Sequence, residues 1–364
     1  MSESILKEEE KISYALRSLY RDYGYLSYKM SKFEKYDLYV KNKEFLVGDG
    51  VITFNDTNGK LLALKPDVTL SIIKNDADEN GKRKVCYNEN VYRISGKTKQ
   101  FKELMQAGLE CIGDLDMYDV YETVYLAAGS LALVSPNFVL DISDLGILSA
   151  ILSEVSAGDK FDKEIMQKIA EKNVHEIEKL CLDYGVDQAN AEKLKVIATA
   201  YGKPSVVLKK LKPICVNEEA KLGYERLSLL TSLLEKSEYG DRIRIDFSVV
   251  NDMNYYSDIV FKGFIAGIGE GVLSGGRYDK LLTRMGRKSG GIGFAVYLDL
   301  LEGFGAEKRG TDVDVLVLYD EKTDVKELIA KVQELVQAGN SVRAQKSLGN
   351  IRYKQLIQLS GGGK

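Results

Sequence analysis

The most informative stretch of this chain is residues 104–113, Leu-Met-Gln-Ala-Gly-Leu-Glu-Cys-Ile-Gly, in which polar and apolar residues alternate. In a β-strand, successive side chains point to opposite faces. One face then carries Gln106, Gly108 and Glu110, and the other carries apolar residues and Cys111. Two polar side chains on either side of a glycine form a recess with an amide and a carboxylate directed into it, which indicates a ligand pocket. If this face points outward instead, Glu110 is a solvated strand residue.

The first half of the chain has the pattern of a mixed helix and strand fold. Apolar spacing predicts amphipathic helices over residues 3–22 and 116–134. Asn58-Gly59 lies between two strand-like runs and predicts a hairpin. Two further short strands are expected at residues 85–87 and 91–93. Strands joined by hairpins and covered by helices predict an α+β core with antiparallel pairing.

The amino-acid pattern changes twice in the second half of the chain. Residues 157–235 combine charged residues with isolated aliphatic ones, and this region is predicted to be a helical insertion. Strands are expected again at 242–247 and 259–261. The glycine-rich stretch 263–291 precedes an apolar run that is interpreted as a helix from Gly293 to Leu301. A small α/β unit is predicted last, with a strand, a helix and a strand at residues 313–318, 325–336 and 342–345.

Composition argues against several classes of function. The 364 residues carry a net charge of −3, so nucleic-acid binding is not expected. We expect no membrane span and no secretion signal, because no long apolar run occurs and the first residues are charged. Four widely spaced cysteines are typical of reduced thiols in a cytoplasmic protein. With His175 as the only histidine, His-dependent triads and His-metal sites are excluded, and no cofactor or metal is expected.

Five segments, taken in chain order, resemble the motifs of one known family. They are residues 64–69 (Leu-Lys-Pro-Asp-Val-Thr), 91–110, 251–261 (Asn-Asp-Met-Asn-Tyr-Tyr-Ser-Asp-Ile-Val-Phe), 274–279 (Ser-Gly-Gly-Arg-Tyr-Asp) and 293–295. Over about residues 5–305 the chain resembles the catalytic core shared by histidyl-tRNA synthetases and their regulatory paralogue, the non-catalytic subunit of short-form ATP phosphoribosyltransferase. The resemblance implies a class II aminoacyl-tRNA synthetase-like antiparallel sheet flanked by helices.

The resemblance also predicts a domain organisation. Residues 1–156 and 236–308 form the two parts of the synthetase-like core, and residues 157–235 form the helical insertion between them. Residues 309–364 form a truncated α/β unit that resembles an anticodon-binding domain. The family further implies a homodimer through the class II core, formed around residues 24–36.

Three departures from the family motifs concern catalysis. Formation of an aminoacyl-adenylate needs cations that neutralise the ATP phosphates in the transition state. The arginine of the family's third motif is Leu300 here, and the arginine that opens the 251–261 loop is Asn251. The glutamate expected two residues after Arg93 is Ser95. We therefore expect this chain not to make aminoacyl-adenylate.

The amino-acid pocket of the family is better preserved. The resemblance implies that Asp67, Thr69 and Gln106 hold the α-amino group of histidine. It implies that Glu110, Tyr256 and Tyr278 hold the imidazole. Arg93 and Arg277 are possible contacts for the ligand carboxylate. Outside this resemblance, Tyr256 could be a sheet-edge tyrosine and Arg93 a surface or ion-pair arginine.

The resemblance implies a regulatory role in the first step of histidine biosynthesis. The chain is expected to activate a short-form ATP phosphoribosyltransferase catalytic subunit in a hetero-oligomer, with histidine as the feedback effector. Two alternatives remain open at this level. One is a divergent histidine–tRNA ligase, and the other is a free-standing histidine sensor with another partner.

Overall fold

The structure is a computed structural model that describes residues 7–42, 50–75, 81–94, 100–249, 255–301, 304 and 311–360. It divides into two units, Met1–Glu302 and Gly303–Lys364, and each unit is described by itself. The finer four-region division stays a prediction. Within the described ranges, no helix has both the length and the apolar character needed to cross a membrane.

The first unit contains the helices and strands that build the candidate site. Its helices are α1 (Glu8–Asp22), α2 (Tyr36–Lys41), α3 (Thr69–Lys74), α4 (Met117–Val134), α5 (Leu145–Val155), α6 (Asp159–Ala170), α7 (Val174–Asp183), α8 (Gln188–Thr199), α9 (Pro204–Leu211), α10 (Glu218–Leu234) and α11 (Asp279–Arg284). Its strands are β1 (Leu26–Ser27), β2 (Phe33–Lys35), β3 (Thr53–Asn55), β4 (Leu61–Leu64), β5 (Arg83–Ile94), β6 (Phe101–Gly113), β7 (Phe138–Asp144), β8 (Tyr201–Gly202), β9 (Ile243–Asp246), β10 (Ile259–Ile265), β11 (Leu273–Arg277) and β12 (Gly290–Tyr297).

One large sheet organises this unit. Among the described residues its strand order is β1-β5-β6-β12-β11-β10-β7-β9-β8. The pairs β1–β5 and β7–β9 are parallel, and the other pairs are antiparallel. A smaller antiparallel sheet, β2-β4-β3, contains the predicted hairpin at Asn58-Gly59. The mainly antiparallel sheet flanked by helices confirms the predicted α+β class.

Strand β5 is longer than the sequence pattern indicated. The expectation of two short strands at 85–87 and 91–93 is wrong, because one strand runs without interruption from Arg83 to Ile94. Asn88-Glu89-Asn90 consists of residue types that are rare in strands. In the structure these three residues pair with Ala107, Gln106 and Met105 of β6, so the tertiary ladder overrides their local preference.

The apolar run from Gly293 to Leu301 is not a helix, which corrects the sequence prediction. Residues up to Tyr297 belong to strand β12, and Leu298–Leu301 forms a short 3-10 segment. β12 pairs with β6 on one side and β11 on the other, and most of its residues are buried. A strand covered on both faces has a continuous apolar sequence, which periodicity alone does not distinguish from a buried helix.

The predicted helices at residues 3–22 and 116–134 are confirmed as α1 and α4 over the described residues. α4 begins after Asp116, whose side chain accepts hydrogen bonds from the backbone N–H groups of Tyr118 and Asp119 and so caps the first turn. α4 packs on β10, β11 and β12, and α1 packs on α4. Residues 157–235, which the sequence predicts to be helical, contain α6–α10. Of these helices, α10 packs against α5 and α4. The two-residue strand β8, which pairs with β9, was not predicted.

The second unit is a small α/β fold. It contains β13 (Val313–Tyr319), α12 (Val325–Gln337), β14 (Val342–Gln345) and β15 (Tyr353–Leu359). The predicted strand, helix and strand are confirmed, but β15 was not predicted. Its sequence, Tyr-Lys-Gln-Leu-Ile-Gln-Leu, is too polar for a clear apolar signal, and its parallel pairing with β13 makes it a strand.

A buried ion pair fixes the segment that leads from β4 into α3. The Lys65 side chain has no exposed surface, and its Nζ lies 2.9 Å from Oε2 of Glu89 on β5. The Lys65 carbonyl also accepts a hydrogen bond from Tyr92 N at 2.8 Å. These contacts hold residues 66–69 beside β5, where Asp67 and Thr69 enter the candidate site.

We therefore expect Glu89→Ala to destabilise the first unit. Removing one partner of a buried ion pair leaves the other charge without compensation, which costs roughly 3–5 kcal/mol. Urea unfolding followed by circular dichroism measures the change. Lys74→Met is the matched control, because the Lys74–Glu34 ion pair is more exposed and such pairs contribute about 0–1 kcal/mol. Equal losses in the two variants would contradict the assigned role of Lys65.

Candidate functional site

A pocket lies over strands β6, β11 and β12, beside the start of α3. Its lining combines carboxyl, amide, guanidinium and phenol groups with a few apolar side chains. The lining residues are Asp67, Val68, Thr69, Tyr87, Arg93, Gln106, Glu110, Tyr255, Tyr256, Ser274, Tyr278, Gly293, Phe294, Ala295 and Tyr297.

Glu110 forms the floor of the pocket. Its side chain points from β6 into the pocket, and the residue is 2% exposed. The Tyr278 hydroxyl donates a hydrogen bond to Oε2 at 2.6 Å, and the Thr69 hydroxyl donates one to Oε1 at 2.7 Å. Burial raises the pKa of Glu110 to about 8. The two donated hydrogen bonds oppose that rise in pKa, whereas the nearby Asp67 carboxyl adds to it.

Glycines provide the space for the floor. A Cβ at Gly293 would overlap Oε2 of Glu110, and a Cβ at Gly291 would overlap the ring of Tyr278. A Cβ at Gly276 would lie 2.7 Å from the ring of Tyr256. Part of the glycine-rich stretch noted in the sequence is therefore needed for side chains to lie flat against β11 and β12.

Asp67 and Arg93 supply opposite charges in the pocket wall. Asp67 is 8% exposed, and its Oδ1 accepts a hydrogen bond from Leu70 N in the first turn of α3 at 2.8 Å. Burial raises the pKa of Asp67, and the positive charge of Arg93 opposes this rise. Arg93 Nε donates to the Pro66 carbonyl at 2.9 Å, which holds the guanidinium beside the same segment. Arg93 is the cationic side chain among the described residues of the lining.

Three tyrosine rings pack together at one side of the pocket. The ring centroids of Tyr255 and Tyr256 are 4.8 Å apart, and those of Tyr255 and Tyr278 are 6.1 Å apart. Tyr255 and Tyr278 are buried, whereas Tyr256 is half-buried. Aromatic faces with hydroxyl groups suit a planar ligand group that also forms hydrogen bonds.

Most of the residues predicted from the sequence meet in this pocket, and the exceptions are informative. Asp67, Thr69, Arg93, Gln106, Glu110, Tyr256 and Tyr278 all line it. The alternative of a solvated Glu110 is wrong, because this side chain is buried. Asn251 and Ser95 lie outside the described residues. Leu300 lies in the 3-10 segment after β12 rather than in a helix.

Arg277 is not among the lining residues, so the structure does not place it as a contact for a ligand carboxylate. Its Nε lies 2.9 Å from Oδ2 of Asp279 and 3.7 Å from Oδ2 of Asp258. The reason is strand alternation: Arg277 and Tyr278 are adjacent in sequence, and Tyr278 is the one that turns into the pocket.

Sequence reasoning missed Tyr87, Ser274 and Tyr297 as pocket residues. Tyr87 is paired with Gly108 in the β5–β6 ladder, so its ring crosses the space that the glycine leaves. Ser274 and Tyr297 lie on β11 and β12, and their hydroxyl oxygens are 2.5 Å apart. If β5 had been predicted as one uninterrupted strand paired with β6, the sequence would have indicated that Tyr87 lies opposite Gly108. The Ser274–Tyr297 contact requires the strand assignment of β12.

The arrangement suits a small zwitterionic ligand that has a planar donor group. Asp67 and Gln106 offer acceptors for an ammonium group, and Arg93 offers a cation for a carboxylate. Glu110, at greater depth, offers an acceptor to an N–H donor between aromatic rings. An amino acid with a heterocyclic side chain has all three groups.

The fold and pocket define the class of this protein as class II aminoacyl-tRNA synthetase-like. A family model described as histidyl-tRNA synthetase matches residues 2–301. The chain is 30% identical to the ATP phosphoribosyltransferase regulatory subunit of Alkaliphilus metalliredigens over 286 residues, covering 76% of this chain and 71% of that protein. The chain therefore belongs to the histidyl-tRNA synthetase-like family of ATP phosphoribosyltransferase regulatory subunits, as the resemblance predicted.

One further relative and one solved structure are similar to this chain. The regulatory subunit of Oceanobacillus iheyensis is 28% identical over 360 residues, covering 97% of this chain and 88% of that protein. The crystal structure of an ATP phosphoribosyltransferase regulatory subunit/histidyl-tRNA synthetase from Bacillus halodurans superimposes with a TM-score of 0.79 at 23% identity. That superposition covers 97% of this chain and 94% of the other, and it shows a shared fold.

Gly293→Ala is expected to damage the pocket floor. The added Cβ would overlap the Glu110 carboxylate and the Leu109 carbonyl, so either β12 or Glu110 must move. Overpacking of this kind costs roughly 1–3 kcal/mol, measured as the free energy of unfolding in urea. Gly269→Ala is the control, since a Cβ there meets no atom within 4 Å. A Gly293→Ala protein as stable as the control would show that the floor is not tightly packed.

The raised pKa of Glu110 predicts a pH dependence of stability. Glu110 ionises near pH 4.5 in the unfolded chain and near pH 8 in the folded chain. Between these values the folded state binds more protons, so its free energy of unfolding falls as pH rises and levels off above pH 8. The contribution is at most about 1.4 kcal/mol per pH unit.

Glu110→Gln removes this titration. The variant should therefore gain stability relative to the unmodified protein between pH 5 and pH 8, as measured by urea unfolding at each pH. Glu103→Gln, on the exposed part of β6, should leave the pH profile unchanged. Parallel profiles for the Glu110→Gln variant and the unmodified protein would contradict a buried, titrating Glu110.

Proposed function

We propose that this chain is the regulatory subunit of a short-form ATP phosphoribosyltransferase. In this role it is needed for the activity of the catalytic subunit and makes that activity sensitive to inhibition by histidine. The family membership supports the catalytic subunit of ATP phosphoribosyltransferase as the proposed partner. The single observation that carries the histidine part is the buried Glu110 at the floor of a pocket that also contains Asp67, Arg93 and a cluster of tyrosines packed edge to face or tilted.

Histidine fits the distribution of groups in the pocket. Its imidazole N–H reaches Glu110, between Tyr278 and Tyr256, and its ammonium group reaches Asp67 and Gln106. Arg93 takes the carboxylate, because Arg277 is engaged with Asp258 and Asp279 outside the pocket. A site that hydrogen-bonds a ligand N–H rejects analogues without it by roughly 10⁴-fold or more.

The proposed role includes binding but not activation of histidine. Adenylation requires cations placed around the ATP phosphates, and this electrostatic contribution is usually the largest in such a reaction. The family arginines are replaced by Leu300 and Asn251. The half-buried Leu300 side chain offers no charge to a phosphate.

Regulation requires that histidine binds active and inactive assemblies with different affinity. A coupling free energy of about 1–3 kcal/mol is enough for such control.

Part of this proposal is a hetero-oligomer built on a homodimer of class II cores. The cytoplasm is the proposed location, because Cys86, Cys111, Cys181 and Cys215 are all free and buried in the structure.

Reconstitution tests the proposal. The purified chain is mixed with the short-form ATP phosphoribosyltransferase from the same genome, and phosphoribosyl-ATP formation is measured with and without histidine. We expect activity only in the mixture and a decrease of that activity when histidine is added. Histidine binding without stimulation would favour a free-standing sensor, and histidine-dependent pyrophosphate exchange by the chain alone would favour a ligase.

Glu110→Ala localises the effector site within the reconstituted complex. The variant should keep the stimulation of the partner. The histidine concentration needed for half-inhibition should rise about tenfold or more, because a buried ligand N–H left without its acceptor costs about 1–3 kcal/mol. Glu103→Ala, on the same strand but exposed, should keep full inhibition. Unchanged inhibition of the Glu110→Ala complex would move the effector site away from this pocket.

A further inference from the structure

A row of alternating charges runs from α10 to the backbone that borders the candidate pocket. Arg226 on α10 binds Asp144 through Nε at 2.6 Å and through a terminal nitrogen at 3.0 Å. The same terminal nitrogen lies 3.3 Å from Oδ1 of Asp258. Asp258 Oδ2 lies 3.7 Å from Nε of Arg277, which binds Asp279 at 2.9 Å. Three carboxylates and two guanidinium groups thus form one connected chain.

Both ends of this charge chain are tied to the backbone of the core. The Asp144 side chain is fully buried and accepts a hydrogen bond from Ile147 N at the start of α5. At the other end, Asp279 Oδ1 accepts a hydrogen bond from Gly291 N at 3.0 Å. The charges in between therefore connect two fixed points rather than two mobile surface groups.

The middle of the charge chain is adjacent to the pocket tyrosines. Asp258 follows Tyr256 by two residues, and Arg277 immediately precedes Tyr278. The backbone between them is also linked, since Ser257 N donates to the Arg277 carbonyl at 2.7 Å. A shift of Asp258 or Arg277 therefore moves the backbone that carries Tyr256 and Tyr278, and Tyr278 is a hydrogen-bond donor to Glu110.

A glycine on each of the two packed helices, α5 and α10, leaves space for the Arg226–Asp144 contact. A Cβ at Gly146 of α5 would lie 2.9 Å from a terminal nitrogen of Arg226. A Cβ at Gly223 of α10 would lie 2.8 Å from Oδ1 of Asp144. The close approach of α10 to α5 at this point depends on both glycines, and it brings the guanidinium to the two carboxylates.

We propose that Arg226 is a positioning residue for the ligand pocket and that it acts through Asp258 on Tyr256 and Tyr278. The helical insertion thereby sets the affinity of the pocket, and a partner that displaces α10 changes this affinity. The inference rests on the proposed histidine-binding function. Arginine suits this position because its planar fork spans two carboxylates, whereas a lysine ammonium is a single point charge.

Asp258→Asn is the primary test, because it cuts the charge chain in the middle and leaves the buried Arg226–Asp144 pair intact. Arg226→Lys is the second variant, since it keeps a positive charge beside Asp144 but cannot span to Asp258. Isothermal titration with L-histidine should show affinity lowered roughly 5- to 20-fold in both variants. The double variant should bind no more weakly than Asp258→Asn alone, because both changes break the same connection.

Lys193→Met is the matched control within the insertion. Lys193 of α8 pairs with Glu154 of α5 at 2.5 Å, so this variant also removes an ion pair between the insertion and α5, away from the charge chain. Its histidine affinity should stay within about twofold of the unmodified chain. A general effect of loosening the insertion would weaken binding in the control as well, and that result would overturn the inference.

The pH profile of binding separates positioning from general loss of structure. The Tyr278 hydrogen bond holds the pKa of Glu110 down, so a displaced Tyr278 should move the pH midpoint of histidine affinity upward in Asp258→Asn. If the unmodified chain binds histidine and Asp258→Asn has the same histidine affinity and the same pH midpoint, the inference is wrong. The proposed function is not affected by that result. Absence of histidine binding by the unmodified chain would overturn the proposed function and this inference together.

Discussion

The burial of one carboxyl group, that of Glu110, is the constraint on which the pocket depends. Removing an ionisable group from water is unfavourable unless hydrogen bonds compensate. Here the Tyr278 and Thr69 hydroxyls provide two such bonds, and burial still raises the pKa of Glu110 to about 8. Tyr278 immediately precedes α11 and Thr69 is the first residue of α3, so the starts of both helices lie at this carboxyl.

The surrounding structure keeps this arrangement fixed. Gly293 leaves space for the carboxyl, and its strand is held between two neighbours in the centre of the sheet. The buried Lys65–Glu89 pair holds the segment that carries Thr69. On the opposite side, the charge chain through Asp258 holds the backbone beside Tyr278. The sheet, the Lys65–Glu89 ion pair and the charge chain that begins on α10 thus support the same pocket.

The sequence located α1 and α4 but divided β5 into two strands and assigned β12 to a helix, for a physical reason. Helices such as α1 and α4 satisfy their backbone hydrogen bonds locally, so the sequence pattern that predicts each of them lies within one segment. Strand β12 satisfies its backbone through β6 and β11, and its apolar sequence is compatible with either element. Strand β5 contains Asn88-Glu89-Asn90, which breaks the local strand signal, but the partner strand supplies the hydrogen bonds.

The sequence by itself determined the residues of the pocket that belong to motifs. Alternation in β6 placed Gln106 and Glu110 on one face, and the family resemblance added Asp67, Thr69, Tyr256 and Tyr278. Only the tertiary structure decided that Tyr87, Ser274 and Tyr297 complete the walls and that burial raises the pKa of Glu110. These features depend on strand register and on burial. Both are set by segments far apart in the chain, so no local pattern contains them.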